Sequence, residues 1–89
     1  MNQCRIEFTR KAKRELNNLP NETHNRLMTR LSELSTNPIC EKPPLKGRLK
    51  GICRMRMGDY RIFYIILREP CTIKVLEVGK RENIYEALR

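Results

Sequence analysis

The stretch Arg54-Met55-Arg56-Met57-Gly58-Asp59-Tyr60-Arg61-Ile62-Phe63-Tyr64 decides the fold of this chain. Two runs of large apolar, aromatic and β-branched residues flank Gly58-Asp59, a pair that suits a two-residue hairpin turn with glycine first. With that turn, Met57 pairs with Tyr60, Arg56 stands directly opposite Arg61, and Arg54 stands opposite Phe63. Side chains alternate faces along a strand. Arg54, Arg56, Arg61 and Phe63 therefore project from one side of the sheet, and Met55, Met57, Tyr60, Ile62, Tyr64 and Ile66 from the other. Like charges directly opposite one another cost roughly 0.2–1 kcal/mol, an arrangement that selection for stability alone would avoid. Three guanidiniums with an aromatic among them make sense where an anion such as a phosphate fills the gap. The competing reading is a solvated basic face with splayed side chains, and the pattern alone leaves both open.

Downstream, Thr72 to Val78 reads as a further strand, reached through a Glu69-Pro70 turn, and Gly79-Lys80-Arg81 closes it. If that strand joins the same sheet, its end delivers Arg81 to the edge of the basic face. Tyr85 follows within four residues, in a segment, Asn83 to Leu88, that reads as a short terminal helix or an extended tail. Its ring suits stacking on a base or supplying a phenolic proton, but on the residues alone an amphipathic anchor for the tail is the better reading.

Upstream, the stretch from Thr36 to Lys46 carries Pro38, Pro43 and Pro44 and is irregular. Leu45-Lys46-Gly47 and Leu49-Lys50-Gly51 form a near-duplicate too short to be a structural repeat. Before them, Leu27, Leu31 and Leu34 make the apolar stripe of a helix from about Glu22 to Ser35, with His24 in line as a helix-face residue. A shorter helix precedes it, capped by Thr9 and striped by Ala12, Leu16 and Leu19. Leu19-Pro20-Asn21 breaks the two apart. Cys4 to Phe8 alternates apolar and charged residues, as a half-buried strand does. The order strand, helix, helix, three strands predicts an α+β fold: a small, mostly antiparallel β-sheet with an N-terminal helical hairpin packed on one face.

The 89 residues carry 19 Lys or Arg against 10 Asp or Glu, a net charge of +9. That length builds one hydrophobic core, so residues 1–89 read as a single domain. At 39% hydrophobic and 33% charged, the chain is neither a disordered tail nor a membrane protein. The longest apolar run, Ile62 to Leu67, spans six residues, against the ~20 of a membrane-spanning helix. The polar start after Met1 lacks a signal peptide, and the expectation is a cytosolic protein.

Twelve of the bases and only five of the acids fall in residues 42–89. That imbalance points to a polyanionic partner, whether nucleic acid, anionic membrane or acidic protein, unless it serves only solubility. Cys4, Cys40, Cys53 and Cys71 contain no Cys-x-x-Cys pair, and His24 adds no ligand spacing, so no metal site is expected. The four read as small apolar thiols of a reducing compartment, Cys40 the most exposed.

Taken together, the segments resemble a RelE/ParE-superfamily toxin, the small basic half of a prokaryotic toxin–antitoxin pair. The resemblance rests on Phe8…Ala12…Leu16…Leu19-Pro20, the second helix, Pro38, Leu45-Lys46-Gly47, the stretch from Arg54 to Tyr64, and Val78-Gly79-Lys80-Arg81 with a tyrosine shortly after. It covers nearly the whole chain. The helical part is generic; the hairpin with Gly79-Lys80-Arg81 is fairly specific. It implies two helices on one face of a compact sheet and action on the opposite, concave face. RelE-like members cut mRNA in the ribosomal A site, the ribose 2′-hydroxyl attacking the adjacent phosphate to leave a 2′,3′-cyclic phosphate and a 5′-hydroxyl.

By motif position the resemblance implies that Arg61 stabilises the phosphate, Arg81 sits near the leaving group, and Tyr85 is the C-terminal tyrosine. Arg56, with Arg54, falls where RelE-type enzymes carry basic strand residues, often lysines. Lys46, Lys50, Lys80 and Phe63 join Arg54 as RNA-binding candidates. The spacer from Gly79 to Tyr85 is shorter than in some members. Arginine stays protonated at biological pH, so Arg54 and Arg56 suit charge stabilisation and not proton removal. The general base is left unassigned among Tyr85, Glu82, Lys46 and the ribosome. No cofactor or metal is implied. The implied partners are a cognate antitoxin with an acidic wrapping segment, the ribosome with its A-site mRNA, and operator DNA through the antitoxin. No membrane partner is implied. Two rival readings are a ParE-like gyrase poison and a degenerate module that only binds RNA or antitoxin.

Overall fold

Residues 3–40 and 51–80 are described by the structure, a computed structural model. The elements run Arg5–Phe8 (β1), Arg10–Asn17 (α1), Asn21–Thr36 (α2), Cys53–Met57 (β2), Tyr60–Leu67 (β3) and Thr72–Gly79 (β4). The strands form one mixed sheet in the order β1-β4-β3-β2. β1 lies parallel to β4, while β4 with β3 and β3 with β2 are antiparallel. Each element expected within the described residues is present, with most ends within one residue of expectation; the expected Asn83 to Leu88 segment lies outside them.

Local chemistry sets the helix starts. The Thr9 hydroxyl accepts a hydrogen bond from the Ala12 N–H at 3.1 Å, satisfying one of the orphan donors of α1. Pro20, whose φ is −56°, leads into α2, and its carbonyl accepts from the His24 N–H at 2.8 Å. Proline suits this place because it lacks the N–H that a helix interior would need.

The core lies between the helices and one face of the sheet. Leu16, Leu27 and Leu31 meet Met55, Ile62, Tyr64, Ile73 and Val75, all 2% exposed or less. Burying a side chain of that size contributes about 1.5–3 kcal/mol, so this layer dominates the stability of the domain. Tyr60 and Ile66 pack against its margin. The hairpin register is the one expected from the turn: Met57 opposite Tyr60, Arg56 opposite Arg61, Arg54 opposite Phe63. Gly58 has φ +59° and Asp59 does not take a positive φ, as the glycine-first turn requires.

β1 accompanies β4 only to Val75. Beyond that point α1 takes over the open edge. The Thr9 hydroxyl donates to the Leu76 carbonyl at 3.1 Å, and the Glu15 carboxylate accepts from the Val78 N–H at 2.9 Å. Leu76 is the extra residue of a bulge, since Phe63 pairs with Glu77 while Tyr64 pairs with Val75.

The four cysteines correct the expectation of unpaired thiols: Cys4 bonds to Cys71 and Cys40 to Cys53. Their Cα separations, 4.7 and 5.3 Å, lie within the span a disulfide bridges. The first pair meets because Arg5 registers with Thr72 and its N–H donates to the Cys71 carbonyl at 2.9 Å. The second meets because the Tyr64 hydroxyl holds the Ile39 carbonyl at 2.9 Å while Cys53 registers with Tyr64. Neither closeness follows from local spacing. Cys40 and Cys71 are both partly exposed, and neither is a free thiol. Paired cysteines are uncommon in a reducing cytosol outside hyperthermophiles, so they lend no support to a cytosolic setting. No helix among the described residues is long and apolar enough to cross a membrane.

Candidate nucleic-acid interface

Strand alternation and core membership together assign the two faces. Met55, Met57, Ile62 and Tyr64 pack with the helices, which turns Arg54, Arg56, Arg61 and Phe63 to the other side. Ile6, Phe8, Ile73 and Val75 likewise pack with the helices. Arg5, Glu7 and Lys74 therefore join the arginine face, with Glu7 directly opposite Lys74. Sequence reasoning had the alternation of Arg5-Ile6-Glu7 in view but lacked the pairing that places β1 and β4 beside the hairpin.

Arg56 is exposed, and Arg54 and Arg61 are partly exposed. Phe63 is 1% exposed and packs with Ile52, Ile65 and Leu76 in a second, smaller apolar cluster. Phe63 was an RNA-binding candidate by the face it shares with the arginines, and its ring is covered on that face. It belongs to an apolar layer on the basic side of the sheet.

Backbone carbonyls take one guanidinium of this face and one from α2. Arg61 Nη1 donates to the Lys80 carbonyl at 3.2 Å, tying the start of β3 to the residue after β4. Arg30 Nη1, from α2, donates to the Arg56 carbonyl at 3.4 Å. Lys80 is exposed, and its ammonium sits 5.5 Å from the centre of the Tyr60 ring, within cation–π range. A hollow of about 420 Å³ runs along α2 past Arg26 and Arg30 to Met57. It lies on the helix side of the sheet, away from the arginine face.

Two unit charges 4 Å apart repel by about 1 kcal/mol in water and about 4 kcal/mol at the effective dielectric of a protein surface. Arg56 and Arg61 face each other across the hairpin and gain from an anion placed between them. A phosphate between them replaces that one repulsive contact with charge-assisted hydrogen bonds from both guanidiniums.

At the opposite edge of β4 the charges are acidic. Burial pushes the Glu15 carboxyl above its ordinary 4.5, and the Glu77 carboxylate adds to the rise. The Val78 N–H, Lys11 and Arg14 pull the other way. Glu77 is buried and pairs through one oxygen with Lys11, and its second oxygen has no hydrogen-bond partner among the described residues.

Lys46, Lys50, Arg81, Tyr85 and the Asn83 to Leu88 tail lie outside the described residues, as does Glu82. The described structure thus brings together Arg54, Arg56 and Arg61 and adds Arg5 and Lys74, whereas Lys80 meets Arg61 through its carbonyl and turns its ammonium to Tyr60 on the helix side.

Comparison with known proteins gives this architecture its family. The model of the ParE toxin of type II toxin–antitoxin systems matches residues 6–85. Toxin RelG of Mycobacterium tuberculosis is 33% identical over 81 residues, covering 90% of this chain and 93% of that protein. The mRNA interferase toxin RelE of Escherichia coli is 28% identical over 79 residues, covering 88% of this chain and 83% of that protein. In the crystal structure of the M. tuberculosis toxin–antitoxin complex RelBE2, one chain superposes with a TM-score of 0.78 at 31% identity, covering 90% of this chain and all of that one. With its helical hairpin on one face of a four-stranded sheet and its arginines on the other, the chain belongs to the RelE/ParE family of toxins from type II toxin–antitoxin systems.

Proposed function

We propose that this toxin is a ribosome-dependent endoribonuclease that cleaves mRNA in the A site and so inhibits translation. The observation that carries the reading is the facing pair Arg56 and Arg61, with Arg54 on the same outward side of the sheet. The name of the E. coli relative, an mRNA interferase, supports the same reaction class. In the proposed step the ribose 2′-oxygen forms a bond to the adjacent phosphorus as the bond to the 5′-oxygen breaks. The products are a 2′,3′-cyclic phosphate and a 5′-hydroxyl, the proton passing from the 2′-oxygen to a base and another arriving at the leaving oxygen. Arg61 and Arg56 stabilise the charge that builds on the phosphorane-like transition state. Arg81 acts near the leaving group, and Tyr85 serves the reacting nucleotide. Arg54, Lys46, Lys50 and Lys80 track the RNA backbone, to which each cation adds salt-sensitive affinity. The proton-accepting group is left unassigned, because the strand arginines do not fill that role.

The partners in this reading are the ribosome with its mRNA and a cognate antitoxin. Solved relatives occur as toxin–antitoxin complexes. An acidic, partly disordered antitoxin segment suits a chain of net charge +9, since opposite charge speeds encounter and folding on binding allows a large contact. Operator DNA is reached through the antitoxin.

The test is purified toxin with ribosomes programmed by a defined mRNA. Cleavage in the A site that Arg61→Ala lowers sharply to a measurable residual rate supports the reading; binding without cleavage assigns the protein to the non-catalytic class. A gyrase-poisoning reading is kept because the matching family model is that of ParE. It predicts DNA breaks and no codon-phased RNA ends after induction.

A further inference from the structure

We propose that Glu15 is a positioning residue for Arg61, acting through the end of β4; the inference rests on Arg61 as the phosphate-stabilising group. Because β1 stops opposite Val75, the strand end from Glu77 to Gly79 has β3 on one side and α1 on the other. On the α1 side the Glu15 carboxylate takes the Val78 N–H at 2.9 Å. On the β3 side Val78 registers with Ile62 and Gly79 with Arg61. One residue further, the Lys80 carbonyl receives Arg61 Nη1 at 3.2 Å. The carboxylate therefore grips the strand two residues before the carbonyl that orients the guanidinium.

The choice of group is informative. A longer β1 would satisfy the Val78 N–H with a neutral carbonyl. A carboxylate instead makes a charge-assisted bond, roughly twice as strong as a neutral one, and it does so despite partial burial beside the buried Glu77. α1 itself does not depend on this bond, since Ala12 and Leu16 anchor it in the core. Lys11 pairs with Glu77 on the same strand end. Losing the Glu15 grip frees the Val78 N–H and lets the strand end lean away from α1. The Lys80 carbonyl moves with it, and so does the guanidinium. Displacement of a catalytic group by about 1 Å costs on the order of 100-fold in rate.

The experiment compares wild type, Glu15→Gln, Glu15→Leu, Arg61→Ala and the Glu15→Leu/Arg61→Ala double variant in single-turnover cleavage on programmed ribosomes. Ribosome affinity is measured alongside. Glutamine keeps an acceptor for the Val78 N–H and is expected within about twofold of wild type. Leucine is expected to lower the cleavage rate at saturating ribosomes by roughly 10- to 100-fold with affinity unchanged. In the Arg61→Ala background leucine is expected to add nothing, because the two residues act in one chain. An unchanged rate in Glu15→Leu overturns the proposal, as does an equal loss in the Arg61→Ala background. Rate and affinity falling together in both Glu15 variants also overturns it, since that marks a structural role. If wild type does not cleave, the enzymatic reading fails, and the positioning is read from NMR of the Arg61 guanidinium N–H groups. Slow exchange in wild type and Glu15→Gln but not in Glu15→Leu sustains it; identical exchange in all three overturns it.

Discussion

Reducing the two disulfides should cost this domain a large part of its stability, unequally between the bridges. Cys4–Cys71 spans 67 residues and Cys40–Cys53 spans 13. In the loop-entropy account, closing such loops removes about 4 and about 3 kcal/mol of freedom from the unfolded chain. The smaller loop lies inside the larger one and shortens it by 13 of 67 residues, which lowers the larger contribution by only about 0.2 kcal/mol. The combined effect, about 7 kcal/mol, compares with a total of about 4–13 kcal/mol for a domain of 89 residues. Cys4 and Cys53 are buried, so alanine at either site also removes some apolar packing.

The assay is urea unfolding of the oxidised protein, the protein in reductant, and the paired variants Cys4→Ala/Cys71→Ala and Cys40→Ala/Cys53→Ala. With a slope of ~1–2 kcal/mol/M, the first pair should lower the midpoint by roughly 2–4 M and the second by less. Thiol titration of the oxidised protein should find no free cysteine. An unchanged midpoint in reductant, four free thiols after oxidation, or a larger loss from the 40–53 pair would refute the reasoning.

Three further outcomes follow from the same structure. Arg56→Ala relieves the repulsion with Arg61 and should raise unfolding stability by about 0.2–1 kcal/mol while weakening RNA binding; calorimetry and a binding titration would expose the opposite signs. Glu15 has a folded-state pKa above its ordinary 4.5, so its stabilising contribution is full below that value and is lost as pH rises through the raised one. Urea melts from acid to neutral pH should show this decline, and Glu15→Gln should flatten it. Tyr64→Phe removes the bond to the Ile39 carbonyl from a fully buried side chain, with an expected loss of about 1–3 kcal/mol in the same melts.

Much of the fold was legible because its signals are local. Gly58-Asp59 sets a turn, the turn sets a register, and the register puts Arg56 opposite Arg61. The helical stripes, the Thr9 cap and the Pro20 break are equally local, and each reappears in the structure. What stayed illegible is the surroundings of residues that depend on distant partners. Phe63 has the alternation of a face residue, yet Ile52 and Leu76, brought in from either side, help bury it. Cys4 looks like any small apolar residue until the parallel pairing of β1 with β4 sets it beside Cys71.

The sequence by itself determined the element order, the hairpin register, the shared face of Arg54, Arg56 and Arg61, and the basic excess that calls for a polyanion. Only the tertiary structure decided that β1 lies parallel beside β4, that all four cysteines pair, and that α1 completes an edge which β1 leaves short at Val75. The division has one physical cause. Turn geometry and side-chain periodicity are fixed within a few residues, whereas contacts across 67 positions form only when the whole sheet closes.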